Sequence, residues 1–173
     1  STFLKGMVKC TGYKSGALED RYSSDGVFLY DRLNKSDIEM LELAIRCHNM
    51  YRIPQGLNRR EQAFCNVLRD ADKVDIFKVN IDTPLEEIYN TTTEELMKSD
   101  ITDEVLEAFD EEHCILKAIR RTPADTVIGH VSLAYELVYD ESVRITVEQG
   151  YLAKLMHFNS DNEETNRKMA MRS

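Results

Sequence analysis

The sequence predicts an all-α fold, and three observations predict it. Its 173 residues include only 7 Gly and 3 Pro, sparse punctuation for a chain that would need a turn every few residues if built from strands. Apolar residues recur at spacings of three and four, the period of one helical face. Ser, Thr or Asn stand ahead of these runs, where helix N-caps belong. With 42% hydrophobic and 31% charged side chains, the balance is that of a globular chain long enough for one domain with its own core.

The elements follow in order. Residues 1–25, with Gly6, Gly12, Gly16 and several Ser and Asp, give a loop-rich lead-in. Ser36 is expected to cap the first clear helix, whose face is Ile38, Leu41, Ala44 and Ile45, running towards Met50 and stopping near Pro54 and Gly56. Asn58 opens a longer helix through Phe64, Val67, Leu68, Ala71 and Val74. Thr83-Pro84 reads as an N-cap followed by Pro in the first turn, with Glu86 at the capping-box position. Thr92 and Thr102 begin two short Glu-rich helices. Thr122-Pro123 repeats the cap-plus-Pro signal before Val127, Val131, Ala134 and Leu137. A helix over 141–149 is stopped by Gly150, another covers 151–158, and the tail from Asp161 reads as a polar, frayed helix. No repeat or composition shift marks a second domain. The expectation is one domain over 1–173, with a compact multi-helix core from residue 26.

Charge and cysteines exclude several function classes. The net charge is −9, from 22 basic and 31 acidic side chains, and no basic run is present to displace the counterions of a nucleic acid. Cys10, Cys47, Cys65 and Cys114 are scattered without a C-x-x-C pair, which argues against structural zinc and for reduced thiols in a cytoplasmic protein. No signal peptide and no apolar run of bilayer length is present, so no membrane partner is expected. The surface pattern gives no positive sign of a homodimer.

Polar residues on apolar faces are the most informative feature. His48 falls three, four and seven residues beyond Ile45, Ala44 and Leu41, which aims its imidazole inward. On the next helix, about 100° per residue puts Asp75 on the face of Phe64, Leu68 and Ala71, with Asp72 alongside. Burying carboxylates costs several kcal/mol unless a cation or donors compensate, and a divalent metal is one compensation, since imidazole and carboxylate are its usual ligands. The plainer alternative makes His48 a satisfied core residue, pairs Asp75 with Arg69 or Arg46, and leaves Asp70 and Lys73 on a solvated face. His113 reads as a surface residue, His130 as a core or boundary residue, and His157 fits no pattern.

The stretch Leu68-Arg69-Asp70-Ala71-Asp72-Lys73-Val74-Asp75-Ile76 resembles the "RDADKLD" segment of the HD-domain metal-dependent phosphohydrolases. Upstream, Ala44-Ile45-Arg46-Cys47-His48-Asn49 resembles that family's "AIRxHN" segment, and the interval through Tyr51-Arg52-Ile53-Pro54 to Glu61 fits as well. Arg121-Thr122-Pro123 and the region of Tyr151-Leu152 are similar to its C-terminal helices. The resemblance covers roughly Gly26 to the end. It implies an HD-like all-α bundle that hydrolyses a nucleotide or other small phosphate ester with one or two divalent metals. On that implication Asp72 and His48 are the catalytic and metal-holding residues, Arg69 and Lys73 contact substrate phosphate or support ion pairs, and Asp75 supports the site.

The sequence also departs from the family pattern His…His-Asp…Asp. No His-Asp dipeptide occurs and no histidine precedes His48. Tyr22, opening Tyr22-Ser23-Ser24-Asp25-Gly26-Val27, stands where the family usually has histidine. Three readings follow. The ligand-bearing first helices lie before Ser1 and the chain is the C-terminal part of a phosphohydrolase; or the chain is a non-catalytic relative that binds a partner or ligand; or only the scaffold is shared, and the acidic stretch Thr92 to Glu112 is a contact surface.

Overall fold

The computed structural model describes residues 34–172, and among them lie nine α-helices and two 3-10 turns, with no strand. The fold class is all-α, as predicted. The chain divides into two compact units, Ser1–Asp72 and Lys73–Ser173, each with its own buried cluster. No described helix is long and apolar enough to cross a membrane. The lead-in over residues 1–25, Tyr22 included, lies outside the described residues.

In the first unit, α1 spans Lys35–Cys47. Its cap is Asn34, whose side-chain oxygen accepts the Asp37 amide at 3.0 Å, not Ser36, which already sits in the first turn. Met40, Ala44 and Cys47 face inward. The second helix, α2, spans Arg59–Asp82 and opens on the expected Asn58. The Asn58 side chain accepts the Arg60 and Glu61 amides at 2.9 and 3.0 Å, and Glu61 accepts the Asn58 amide at 2.9 Å, a reciprocal cap. Cys65 and Leu68 of α2 bury against Ala44 and Cys47, with Leu43, Ile45, Ile53 and Leu57 around them.

The inward face of α2 differs from the expected one. Phe64, Val67 and Ala71 are exposed, whereas Cys65, Leu68, Arg69, Asp70, Lys73, Phe77 and Asn80 are buried. Asp70 and Lys73 retain 1% and 5% of their exposure, so neither belongs to a solvated face. The physical reason is that α2 mixes charge and apolar groups on every side, so no stripe dominates and packing selects the side whose small thiol fits against Ala44 and Cys47. Phe64 is covered instead by Arg60, whose guanidinium lies 5.9 Å from its ring centre.

The second unit packs around Phe77, Leu96, Ile101, Val105, Phe109, Ile115, Val127, Ile128 and Leu155. Its helices are α3 (Leu85–Tyr89), α4 (Thr93–Lys98), α5 (Asp103–Asp110), α6 (Pro123–Val131), α7 (Asp140–Gln149), α8 (Tyr151–Met156) and α9 (Glu163–Ala170). Pro84 rather than Thr83 precedes α3, and it makes no side-chain cap. Glu86 instead accepts the Thr93 amide at 3.3 Å and the Thr93 hydroxyl, and the hydroxyl holds its carboxyl below the usual range. α3 ends on Asn90 in the left-handed region at φ 49. Thr92 with Glu95, and Thr122 with Asp125, form the capping boxes that start α4 and α6. Gly150 ends α7 at φ 67, as expected.

Asp125 extends its cap into a junction. Fully buried, it accepts the amides of Thr102 (2.8 Å), Arg121 (2.8 Å) and Thr122 (3.0 Å), so one carboxylate ties the start of α5 to the start of α6. The tail is docked rather than frayed. Ser160 donates to the Met97 carbonyl at 2.6 Å, Thr165 to the Ser99 carbonyl at 2.9 Å, and Lys168 to the Asp100 carboxylate at 2.9 Å. Met169 joins the core.

Candidate functional site

The motif residues are best read from the end of α1. A helix leaves its last carbonyls without intrahelical donors and concentrates negative potential there. Arg69, one turn beyond Cys65 on α2, meets that end. Its Nη1 donates to the Cys47 carbonyl at 3.1 Å and to the Met50 carbonyl, and its Nη2 reaches the Tyr51 carbonyl at 3.5 Å. The guanidinium is bonded to main chain at this helix end, which compensates the burial of its charge.

His48 is the residue on which α1 stops. It is half-buried at the helix end rather than central in an apolar stripe. Its Nδ1 lies 2.6 Å from the Ile45 carbonyl. A carbonyl only accepts, so Nδ1 carries the proton and Nε2 is the acceptor atom of the neutral ring. Metal-bound histidines are commonly oriented in this way, with one nitrogen donating to a carbonyl and the other binding the ion.

Asp72 is half-buried on α2, two residues beyond the buried Asp70 and about 200° round the helix from it. In the second unit, Lys73 is buried and Asp75 half-buried. Among the described residues, no three His, Cys, Asp or Glu side chains converge as a metal shell. Asp70 is the carboxylate that the sequence reading missed. Counting back from Phe77 by four and then three, to Lys73 and Asp70, would have placed Asp70 on the buried face.

The second unit holds a further polar network. The Asn80 side-chain amide donates to the Ile76 carbonyl at 2.8 Å, which fixes its oxygen as the acceptor. That oxygen accepts the Tyr89 hydroxyl at 2.6 Å and lies 2.8 Å from His130 Nδ1. His130 is thus also an Nδ1–H tautomer. Burial, then Arg120 and Lys117, lower its pKa to about 4, and burial raises the Tyr89 hydroxyl. The network ties α2, α3 and α6 within this unit and keeps a neutral imidazole inside, in line with the expected core or boundary role. His113 is half-buried with Nε2 2.7 Å from Glu111, and His157 is exposed at the end of α8.

The cysteines divide between the units. Cys47, Cys65 and Cys114 are free and buried, and Cys10 lies outside the described residues. Burial, reinforced by Cys47, pushes the Cys65 thiol up to about 11; burial also raises Cys114. No protein-family model, no curated protein and no solved structure matches the chain.

Proposed function

We propose that the chain is an HD-type metal-dependent phosphohydrolase domain, or a part of one, acting on a nucleotide or other small phosphate ester. The observation that carries the reading is His48: its Nδ1–H is held by the Ile45 carbonyl, which leaves Nε2 with the lone pair that a divalent ion takes. Asp72 supplies a half-buried carboxylate and Asp70 a buried one on the neighbouring helix. This donor set suits a divalent transition metal, and His48 with Asp72 would hold it. Such an ion lowers the pKa of bound water and stabilises charge on phosphoryl oxygens. Lys73 is the cation of the motif that serves phosphate in this reading, and Asp75 supports the site. Arg69 acts indirectly, by fixing the helix end from which His48 projects.

A second reading, a non-catalytic relative that binds a partner or ligand, is favoured by Arg69 itself. Its bonds to main-chain carbonyls give one motif residue a structural use. Elemental analysis of protein purified without chelator, beside Asp72→Ala and His48→Ala, separates the two. A near-stoichiometric metal that is lost in both variants supports the phosphohydrolase reading, and phosphatase activity should vanish with it. Absence of metal from all three samples favours the non-catalytic relative, and activity retained in both variants refutes the site.

A further inference from the structure

Cys47 and Cys65 carry a chemistry that the proposed hydrolase does not use. Both thiols are free, are 1% and 0% exposed, and belong to one small buried cluster with Ala44 and Leu68. Cys47 stands close enough to the Cys65 thiol to act on it electrostatically. A second contact fixes the main chain: Arg69, one turn past Cys65, donates to the Cys47 carbonyl at 3.1 Å. A disulfide requires two cysteines brought close together, and α1 and α2 bring Cys47 and Cys65 into one buried cluster.

We propose that Cys47 and Cys65 form a redox-sensitive pair, which a small-molecule disulfide such as oxidised glutathione converts into an intramolecular disulfide fastening the end of α1 to α2. Cys47 reacts first. It is the last residue of α1, and helix ends open at lower free energy than helix interiors, whereas Cys65 lies within α2. The Cys47 thiolate attacks one glutathione sulfur, forming a mixed disulfide and releasing one glutathione thiolate. The Cys65 thiolate then attacks the Cys47 sulfur, closes the protein disulfide and releases the second. Each leaving thiolate takes up one of the two protons given up by the protein thiols. Two protein thiols and one oxidised glutathione thus become one protein disulfide and two reduced glutathiones.

The bond closes a loop between residues 47 and 65 and so restricts the unfolded chain. It also fixes the helix end that carries His48 and the carbonyls bound by Arg69. The inference does not depend on the phosphohydrolase reading, because its chemistry uses neither metal nor phosphate.

The test uses the full native chain, incubated with excess oxidised glutathione in dilute urea so that the helix end opens. Acid quenching, alkylation of remaining thiols, proteolysis and mass spectrometry follow. The expected product is a Cys47–Cys65 linked peptide lighter by two hydrogens, in a protein whose Tm rises by about 5 °C or more. Cys114→Ser should leave the link intact, and added dithiothreitol should reverse both link and Tm. Stable glutathione adducts on Cys47 or Cys65, links to Cys10 or Cys114, a link that lowers Tm, or thiols that alkylate readily yet never link would each overturn the proposal.

Discussion

Replacing Arg69 with Ala tests whether this motif arginine holds the fold or a ligand. Its guanidinium serves the carbonyls of Cys47, Met50 and Tyr51. Met50 and Tyr51 are exposed residues, at 43% and 37%, so water can replace the donor there, and the 3.5 Å bond to Tyr51 was weak. Cys47 is buried at 1%, and its carbonyl loses a charged donor that water cannot readily replace, at about 1–3 kcal/mol. Loss of the cation at the helix end adds about 0.5–1 kcal/mol, and loss of the buried side-chain stem adds about 1 kcal/mol. The expected destabilisation is about 3–4 kcal/mol. Urea unfolding followed by far-UV circular dichroism measures it. Arg69→Lys keeps the charge but lacks the fork that serves several acceptors, and should recover at most half. An Arg69→Ala variant within about 0.5 kcal/mol of the parent, the range of an inconsequential surface change, would refute the structural role. Weakened binding of inorganic phosphate in that same variant would return the residue to the ligand.

Three further outcomes follow from the second unit. His130 titrates at about 4 in the folded chain and near 6.5 when unfolded, so the unfolded state binds the proton first. Its contribution is fully present above pH 6.5 and is lost as pH falls towards 4, on the order of 3 kcal/mol in all; urea midpoints at pH 7 and pH 5 should differ less in His130→Gln. At Gly129, an added Cβ would lie 2.3 Å from the Arg120 guanidinium carbon. Gly129→Ala should therefore displace Arg120 from the carbonyls of Ile115 and Gly129 and cost about 1–3 kcal/mol in the same unfolding assay. Asp125→Ala removes the buried acceptor shared by the amides of Thr102, Arg121 and Thr122; a loss of about 3 kcal/mol is expected, and an unchanged urea midpoint would deny the junction its role.

The sequence was most legible where one residue type performs one local task. Asn58, Thr92, Thr122 and Gly150 start or stop their helices as expected, because a side-chain oxygen at an N-cap or a left-handed glycine at a C-cap acts within its own turn. Legibility failed where the partner is remote in sequence. Glu86 serves Thr93 rather than its own helix, and the tail is ordered by Met97, Ser99 and Asp100, more than 60 positions away by the sequence separations of those bonds. Neither spacing nor composition encodes such distances. The inward face of α2 failed for a related reason: a stripe is chosen from apolar periodicity, but here packing chose a face carrying Arg69, Asp70 and Lys73.

That choice divides the motif by physical necessity. Arg69 has a structural use, since the end of α1 needs donors and a planar cation supplies several at once. A buried carboxylate is compensated by the donors it accepts, as Asp125 is by three main-chain amides. Asp70, buried, and Asp72, half-buried, are the carboxylates of the segment on which the proposed metal site draws. His48 belongs with them, because a helix can end without an imidazole whose tautomer is fixed to present Nε2. The phosphohydrolase proposal rests on those three side chains, while Arg69 bonds the end of α1 to α2.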